Sequence, residues 1–394
     1  MPDRGAALSH FLTVAGDFFA TPSERARVPP RALPCYDEAP TMREQDDRTE
    51  LLGLPSTQLM AAAKRWFAGD KGAGVAAAVH RVAVTEGTFA PEQLGLGPRA
   101  AARWRARAKL TLPEVVAVER EATPHGELRK RAVALGDGRV VESVSLPMGR
   151  GRRALCVSTQ VGCARACTFC ETGRLGLLRN LSAAEIVAQV VLEKRDAGAL
   201  PHTVVFQGMG EPLDNLDGLL PALAVLTDAR GLAFAHDKLT VCTVGHVPGI
   251  DALRRLGFKR LNLALSLNPA DDAARARIMP RSARYPLCEL QRALQRFRQR
   301  KNQALAVHWC LLPGINDAPE DAARVAAFLA PLGRAFLHLI PYNPGTAPIA
   351  PAPTEAEIER FAGLLRARGV AVRRRITKGR SVMAGCGQLG AAQA

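Results

Sequence analysis

The hydrophobic pattern changes character at about residue 150 of this chain. From there on, short β-branched runs alternate with Ala- and Leu-rich stretches of helical periodicity. The runs are ALCVST, TVVFQ, KLTVCTV, RLNLALSL, ALAVHWCLL and AFLHLIPY. A strand followed by a helix, repeated in this way, predicts a parallel α/β sheet curled towards a barrel. In such folds the loops at the carboxyl ends of the strands carry the chemistry.

The first part of the chain predicts a different organisation. Residues 1–47 are rich in Pro, Arg and acidic residues without periodicity, which predicts an irregular extension. Residues 48–148 begin with short helical patterns broken at Gly and Pro and end with LRKRAVALGDGRVVESVSLP, two strand-like runs around a turn signal. We therefore expect a small, mainly helical accessory domain with a β-hairpin at 48–148, followed by the barrel at 149–394.

The net charge of the chain indicates a polyanionic partner. The 394 residues include 53 Lys and Arg against 37 Asp and Glu, a formal net charge of +16. A folded basic protein favours a partner such as RNA, because contacts between basic side chains and phosphates release counterions. A basic cluster at helical spacing could form such a face or be ordinarily solvated; its members are Arg99, Arg103, Arg105, Arg107 and Lys109. The sequence lacks an apolar run of membrane-spanning length and a secretory leader, so we expect a cytoplasmic protein with no membrane partner.

Three cysteines fall within eight positions directly after the first predicted barrel strand, in VGCARACTFCETG. They are Cys163, Cys167 and Cys170. A structural zinc site uses four ligands, commonly from two pairs, and the second pair is missing here. A 4Fe-4S cluster held by three thiolates keeps one iron open to a ligand that is not protein. The cysteine spacing therefore favours an iron-sulfur cluster over zinc.

The next strand ends in FQGMGEP, where Gly208 and Gly210 allow close approach of the backbone to a ligand and Glu211 supplies an acceptor. The C-x3-C-x2-C spacing, with this motif one strand later, resembles the radical S-adenosylmethionine (SAM) superfamily. The resemblance implies that the open iron binds SAM, and that one electron from the reduced cluster cleaves it to a 5′-deoxyadenosyl radical. Glu211 would then bind the ammonium group of the methionine part.

Two further cysteines have unusual surroundings. Cys156 lies in the first barrel strand, and Cys386 lies between glycines in KGRSVMAGCGQLG. Taken singly, Cys156 would be a buried strand cysteine and Cys386 a thiol in an unstructured tail. Together with GMGEPLDN, ALSLN and IPYNPGT, however, these stretches resemble the radical SAM adenine methyltransferases of ribosomal and transfer RNA over about residues 48–390.

This resemblance implies a partial (β/α)6 radical SAM barrel and a role for each spare thiol. Cys386 would carry a methyl group as S-methylcysteine, and Cys156 would be the resolving thiol that forms a transient disulfide with it. Glu142 stands where the family carries its proton acceptor; an exposed strand carboxylate is the alternative interpretation. A radical route is needed because adenine C2 is electrophilic and does not accept a methyl group by simple displacement.

The implied SAM contacts lie in the loops after the barrel strands. They are Gly210, Glu211, Cys242, Ser266, Leu267, Asn268 and Asn343. Cys242 occupies a position where the family usually has Ser, Asn268 one where it usually has His, and Ser381 one that is usually acidic.

The function we expect is methylation of adenine C2 in 23S rRNA, with tRNA as a further substrate, by a monomer reduced by a flavodoxin- or ferredoxin-type donor. Three alternatives stay open. The enzyme could methylate C8 or another RNA base, or it could abstract hydrogen from a substrate other than RNA. It could also be a redox-sensing RNA binder that carries a cluster.

Overall fold

One ten-stranded sheet organises the computed structural model, which describes residues 46–68, 72–282, 284–300 and 302–390. The predicted irregular extension, residues 1–47, lies outside the described residues except for its last two. The strands in chain order are β1 (Thr49–Glu50), β2 (Ala108–Lys109), β3 (Glu114–Thr123), β4 (Gly126–Ala134), β5 (Val140–Pro147), β6 (Arg153–Val157), β7 (Gln160–Gly162), β8 (Leu177–Asn180), β9 (Thr203–Phe206), β10 (Leu239–Thr243), β11 (Asn262–Ser266), β12 (Leu305–Leu311), β13 (Ala335–Pro341) and β14 (Val372–Arg374).

Helices follow most of these strands. They are α1 (Ser56–Trp66), α2 (Ala76–Glu86), α3 (Pro98–Arg107), α4 (Glu171–Arg174), α5 (Ala183–Ala197), α6 (Leu216–Thr227), α7 (Val247–Arg255), α8 (Asp272–Ile278), α9 (Leu287–Phe297), α10 (Pro319–Leu329) and α11 (Glu355–Arg366). None of the described helices is long and apolar enough to cross a membrane.

The strand order across the sheet is β14-β13-β12-β11-β10-β9-β6-β5-β4-β3. The six predicted runs correspond to β6 and β9 to β13, which pair in parallel, so the predicted strand–helix repeat is confirmed. β14 adds a further parallel strand. Among the described strands β14 and β3 are the two edges and do not pair, so the barrel is partial, as expected.

Alternation along each strand separates a helix-covered face from an inner face. In β6, Leu155 and Val157 are fully buried in the main hydrophobic core, whereas Cys156 between them is half-buried. In β10, Leu239 and Val241 are likewise fully buried, and Thr240 and Cys242 fall on the other face. Because side chains alternate across a strand, the inner face carries the polar and sulfur-containing residues.

The N-terminal helices pack around their own small core, in which Trp104 of α3 is fully buried against Phe67 and Leu51. The Trp104 indole Nε1 donates to the carbonyl of Gly72 at 3.0 Å. The predicted hairpin is the antiparallel pair β4–β5. The sequence analysis missed β3, which pairs with β4 and extends the sheet at its edge. Its charged, largely exposed residues lack the clean apolar alternation of a half-buried strand.

Candidate active site

The cysteine loop (residues 161–173) leaves β6 and is framed by the small antiparallel pair β7–β8. The amide of Cys163 donates to the carbonyl of Gly176 at 2.7 Å. Gly162 has φ +74°, and a Cβ there would lie 1.8 Å from the same carbonyl oxygen. Only glycine fits this turn, which fixes the direction in which Cys163 leaves the strand.

The predicted cluster ligands lie in a buried environment. Cys163 and Cys167 are buried and Cys170 is half-buried. Burial raises the pKa of Cys163 to about 12. The pKa of Cys167 is raised mainly by burial and further by the charges of Cys170 and Cys163. Three grouped, buried soft donors need cations to become thiolates, which fits an iron-sulfur cluster.

The described residues contain no ready-made site for a single metal ion. Within the part of the chain that the structure describes, no three His, Cys, Asp or Glu side chains form a group that could hold one metal ion. Each thiolate of a cubane binds a different iron, so its ligands stand farther apart than those around one ion. The preference for a cluster over zinc therefore rests on the C-x3-C-x2-C spacing of the cysteines.

Two buried arginines accompany the cysteine loop, and the sequence analysis missed both. Arg275 of α8 is fully buried and donates to the carbonyls of Ser266, Leu267 and Val244, which joins the loops after β10 and β11. Burial lowers its pKa to about 10. Arg165 pairs with Asp214. The Nε atoms of both arginines are buried and have no hydrogen-bond partner among the described residues.

The GMGEP loop places Glu211 at the end of β9. Gly210 has φ +98°, and a Cβ there would lie 2.6 Å from the Cβ of Gln160. The Glu211 carboxylate accepts from the amides of Leu213 at 3.0 Å and Val244 at 2.8 Å, and burial raises its pKa. Because each carboxylate oxygen can accept more than one hydrogen bond, the predicted ammonium contact stays compatible with this geometry.

The other predicted SAM contacts divide into two groups. Ser266, Leu267 and Asn268 lie together at the end of β11, where the Asn268 Oδ1 accepts from the amide of Cys310 at 2.8 Å. Asn343 follows β13, but its side chain is engaged elsewhere. It accepts from Arg380 at 3.2 Å and its Nδ2 donates to the carbonyl of Cys386 at 3.4 Å. The role of these residues in SAM binding stays a prediction.

Residues 378–390, which we call the Cys386 segment, are anchored to the cysteine loop itself. The amide of Glu171 donates to the carbonyl of Gly387 at 2.8 Å, and the Thr172 hydroxyl donates to the carbonyl of Leu389 at 2.6 Å. Gln388, which the sequence analysis did not single out, closes the turn by accepting from the amide of Gly385 at 3.0 Å. The interpretation of Cys386 as a thiol in an unstructured tail is therefore wrong.

Glu142 is buried in β5, with 2% of its surface exposed, so the alternative of an exposed strand carboxylate is also wrong. Its carboxylate pairs with Lys130 at 3.3 Å and accepts from the amide of Gly390 at 2.5 Å. Its own amide donates to the sulfur of Met209 in the GMGEP loop at 3.4 Å. Glu142 thus connects the Cys386 segment to the GMGEP loop.

Three thiols outside the cysteine loop surround Gln207, at the end of β9. The Cys242 thiol donates to the Gln207 Oε1 at 3.3 Å, and the Gln207 Nε2 donates to the sulfur of Cys386 at 3.8 Å. Cys156 is close enough to Cys386 for the charge of one thiolate to raise the pKa of the other thiol, and burial is the main reason that the pKa of Cys156 reaches about 12. Cys156 and Cys386 are both free thiols. The sequence analysis missed Gln207 because an amide inside a glycine-rich turn carries no signal of its own.

Known proteins resemble this chain in sequence and in fold. Residues 157–326 match the radical SAM superfamily. The "Dual-specificity RNA methyltransferase RlmN" of Syntrophotalea carbinolica is 40% identical over 292 residues, which cover 74% of this chain and 76% of that protein. The "Probable RNA methyltransferase sce1580" of Sorangium cellulosum is 39% identical over 384 residues, covering 90% and 95%. The chain belongs to the radical SAM RNA methyltransferase family. The crystal structure of a radical SAM methyltransferase from Sphaerobacter thermophilus has a TM-score of 0.78 at 33% identity, covering 87% of this chain and 99% of that one.

Membership of the radical SAM RNA methyltransferases makes the chain an enzyme that uses a 4Fe-4S cluster and SAM. The donor set fits both groups: three grouped thiols suit the cluster, and Glu211 with the carbonyls after β11 suits a ligand that has both ammonium and hydroxyl donors. The expected identity of this chain as a member of the family is confirmed.

An RNA substrate also agrees with the basic surface of this radical SAM methyltransferase. α3 presents Arg99 and Arg107 to solvent. Two other members of the predicted basic cluster are neutralised, because Arg105 pairs with Glu92 at 2.7 Å and Lys109 with Asp46 at 3.2 Å. The available charge on this face is therefore smaller than the sequence suggests.

Proposed function

We propose that the enzyme methylates carbon 2 of an adenosine in 23S ribosomal RNA through an S-methylcysteine at Cys386. The resemblance to methyltransferases of both RNA classes supports transfer RNA as a second substrate. The observation that carries the proposal is the convergence of Cys386, Cys156 and Glu142 beside the cysteine loop. A radical SAM enzyme that only abstracts hydrogen has no use for this set.

The local environment of each of these residues suits one step of the proposed methyl transfer. When bound, the cluster and SAM supply a carbon-centred radical and the methyl group. Cys386 is exposed, which a group that must reach an RNA base requires. The hydrogen bond from the Gln207 amide stabilises its thiolate, the nucleophilic form that accepts a methyl group.

The remaining steps use Glu142 and Cys156. Loss of a hydrogen atom to the radical turns the methyl group on Cys386 into a carbon radical, and its addition to the base gives an odd-electron adduct. This adduct gives up one electron, which would return to the oxidised cluster, and the Glu142 carboxylate accepts the proton that C2 loses. The thiolate of Cys156 then attacks the sulfur of Cys386. A disulfide forms, the carbon–sulfur bond breaks, and the carbon leaves with the electron pair and takes up a proton. Two electrons from an external thiol or dithiol later reduce the disulfide.

The test is a comparison of Cys156→Ala with Cys288→Ala, which removes an exposed thiol of α9. Both proteins are purified without oxygen with the cluster assembled and are incubated with SAM and ribosomal RNA. We expect methylated Cys386 in the peptide mass spectra of both. Only Cys156→Ala should accumulate a covalent protein–RNA adduct at Cys386, because it lacks the resolving thiol. An unmethylated Cys386 beside an intact cluster contradicts the proposal.

Analysis of the product separates the target alternatives. Digestion of the RNA to nucleosides should give 2-methyladenosine. A methyl group on C8 or on another base would replace C2 as the target but keep the thiol chemistry. Deoxyadenosine without RNA methylation would indicate hydrogen abstraction from another substrate, and RNA binding without deoxyadenosine would indicate a redox sensor.

We also infer that the enzyme is a cytoplasmic monomer that receives its electron from a protein donor. A single chain supplies every residue that the reaction needs, which supports a monomer. All cysteines of the described residues are free thiols, which agrees with a reducing compartment such as the cytoplasm. Reduction of the cluster requires a strongly reducing one-electron donor, for which a flavodoxin- or ferredoxin-type protein is the natural class.

A further inference from the structure

The inner face of the sheet continues beyond the barrel strands onto β5, β4 and β3. Cys156 of β6 pairs with Val144 of β5, which in turn pairs with Lys130 of β4. Lys130 pairs with Glu119 of the edge strand β3. Residues that lie directly opposite each other on antiparallel strands share one face of the sheet. Lys130 is therefore on the same face as Cys156, and so is Glu142, two residues from Val144.

Lys130 is the one member of a run of three basic residues that points inward. On the other face of β4, Arg131 pairs with Glu193 of α5 at 2.5 Å and Arg129 pairs with Glu127 at 2.6 Å. Only 4% of the Lys130 surface is exposed. A buried charge is costly unless it is paired, so the partners of Lys130 indicate its role.

The ammonium group of Lys130 lies between two carboxylates. Its Nζ is 3.3 Å from the Glu142 Oε1 and 3.1 Å from the Glu119 Oε1. The Glu142 side chain is 3% exposed, whereas that of Glu119 is 48% exposed. An exposed ion pair contributes little, but a buried pair that loses one partner leaves an uncompensated charge. The pair with Glu142 is therefore the important one.

The contacts of Glu142 with neighbouring elements supply one cation. The amide of Gly390, in the Cys386 segment, donates to the carboxylate at 2.5 Å. The backbone of Glu142 contacts the sulfur of Met209 and the hydroxyl of Ser158. None of these three groups is charged. Among the described residues, Glu142 forms one ion pair, and its partner is Lys130.

The remaining titratable side chains on the inner face of β3 to β6 include no second cation. Glu119 and Glu121 of β3 are carboxylates, and Glu121 is engaged with backbone amides of the Cys386 segment. Burial raises the pKa of Cys156 to about 12, against a smaller opposite effect of the Arg375 charge, so this thiol is neutral.

We propose that Lys130 is a positioning residue that keeps the Glu142 carboxylate ionised and in place for the proton that C2 of adenine loses. This inference rests on the proposed role of Glu142 as proton acceptor. Burial favours the neutral form of a carboxyl group, which cannot accept a proton, whereas an adjacent ammonium group favours the ionised form. Lys130 keeps its own proton. The proton from C2 bonds to the carboxylate, which becomes a neutral acid.

The experiment measures the rate of RNA methylation against pH, with the cluster-loaded enzyme, SAM and ribosomal RNA. Lys130→Met removes the charge at similar side-chain length. We expect its half-maximal rate on the acid side to move up by at least about one pH unit, which is about tenfold in rate at a pH below that point. Methylation of Cys386, which precedes the proton transfer, should proceed as in the wild type at the same pH.

Two variants serve as controls for the charge and for its position. Lys130→Arg keeps the charge, so the acid side of its profile should lie at the wild-type pH. Arg129→Met makes the same change of charge on the same strand but on the other face, where Arg129 pairs with Glu127. Its profile should match that of the wild type.

The outcomes separate this inference from the proposed function. Lys130→Gln, which keeps a hydrogen-bond donor without the charge, is the second variant and should show the same shift if Lys130→Met does not fold. The inference is overturned if a folded Lys130→Met or Lys130→Gln keeps the acid side of the wild-type profile, or is slower by the same factor at every pH.

Glu142→Gln is measured alongside these variants. A wild-type rate in Glu142→Gln overturns the roles of Glu142 and Lys130 together. A slow Glu142→Gln beside an unshifted Lys130→Met overturns the role of Lys130 alone. Absence of RNA methylation by the wild type overturns the proposed function, and this inference with it.

Discussion

The cysteine loop and the Cys386 segment both present thiols to the same site, but they are held in different ways. In the loop, the three predicted ligands lie within eight positions and the controlling contact, between Gly162 and Gly176, is local. The Cys386 segment is held by Glu142 and Thr172, which are 248 and 217 residues away from their partners in sequence. The predicted cluster ligands are thus encoded by spacing along the chain, whereas the proposed carrier thiol, Cys386, is positioned by the completed fold.

If the two regions function independently, substitution of residues that hold the Cys386 segment in place should slow methyl transfer and leave the iron content of the enzyme unchanged. The largest effect is expected for Glu142→Gln. The amide keeps an acceptor for Gly390 but cannot take a proton, so RNA methylation should fall about 10²- to 10⁴-fold. Quantification of methylated nucleoside per unit time, together with iron analysis, measures both quantities.

Glu119→Gln is the matched control for that variant. Glu119 lies on β3 and pairs with the same Lys130 at 3.1 Å, but it is about half exposed. Its loss should leave methylation within about twofold of the wild type, because an exposed ion pair contributes little. Equal losses of activity in both variants would show that Glu142 acts through Lys130 and not as a proton acceptor.

An intermediate effect is expected for Gln207→Leu. The variant loses the hydrogen bond to the sulfur of Cys386, and a hydrogen bond to a charged group contributes about 1.5 kcal/mol at the low end, which is about tenfold in rate. The rate at which Cys386 gains a methyl group, followed by mass spectrometry, is the measurement. Gln299→Leu, on an exposed residue whose amide donates to Arg254, serves as the control. A wild-type rate in Gln207→Leu would remove Gln207 from the site.

The smallest effect is expected for Cys242→Ser. The serine hydroxyl keeps a donor for the Gln207 Oε1, so the rate of Cys386 methylation should stay within about twofold of the wild type. Cys242→Val removes the donor at similar size and should approach the rate of Gln207→Leu. If the serine variant is as slow as the valine variant, the sulfur itself, and not its hydrogen bond, is what the site requires.

The same contrast explains which features the sequence could predict. Local hydrophobic periodicity and residue spacing predict the six parallel strands, the hairpin and the cysteine loop. The structure contains these elements at the predicted positions. Arg275 could not be predicted, because its role depends on backbone carbonyls of two loops that only the folded sheet brings together. Asn343 shows the same limit: its place after β13 was foreseen, but its contacts with Arg380 and Cys386 were not.

The hydrogen bond from Gly390 to Glu142 also has a consequence for the order of folding. It closes a loop of 248 residues, which contains every parallel strand of the sheet. Contacts of such long sequence separation form late, because the intervening chain must first be ordered. We therefore expect the barrel to be complete before Cys386 is brought beside the cysteine loop, so that a partly folded chain does not hold the proposed carrier thiol next to the cluster site.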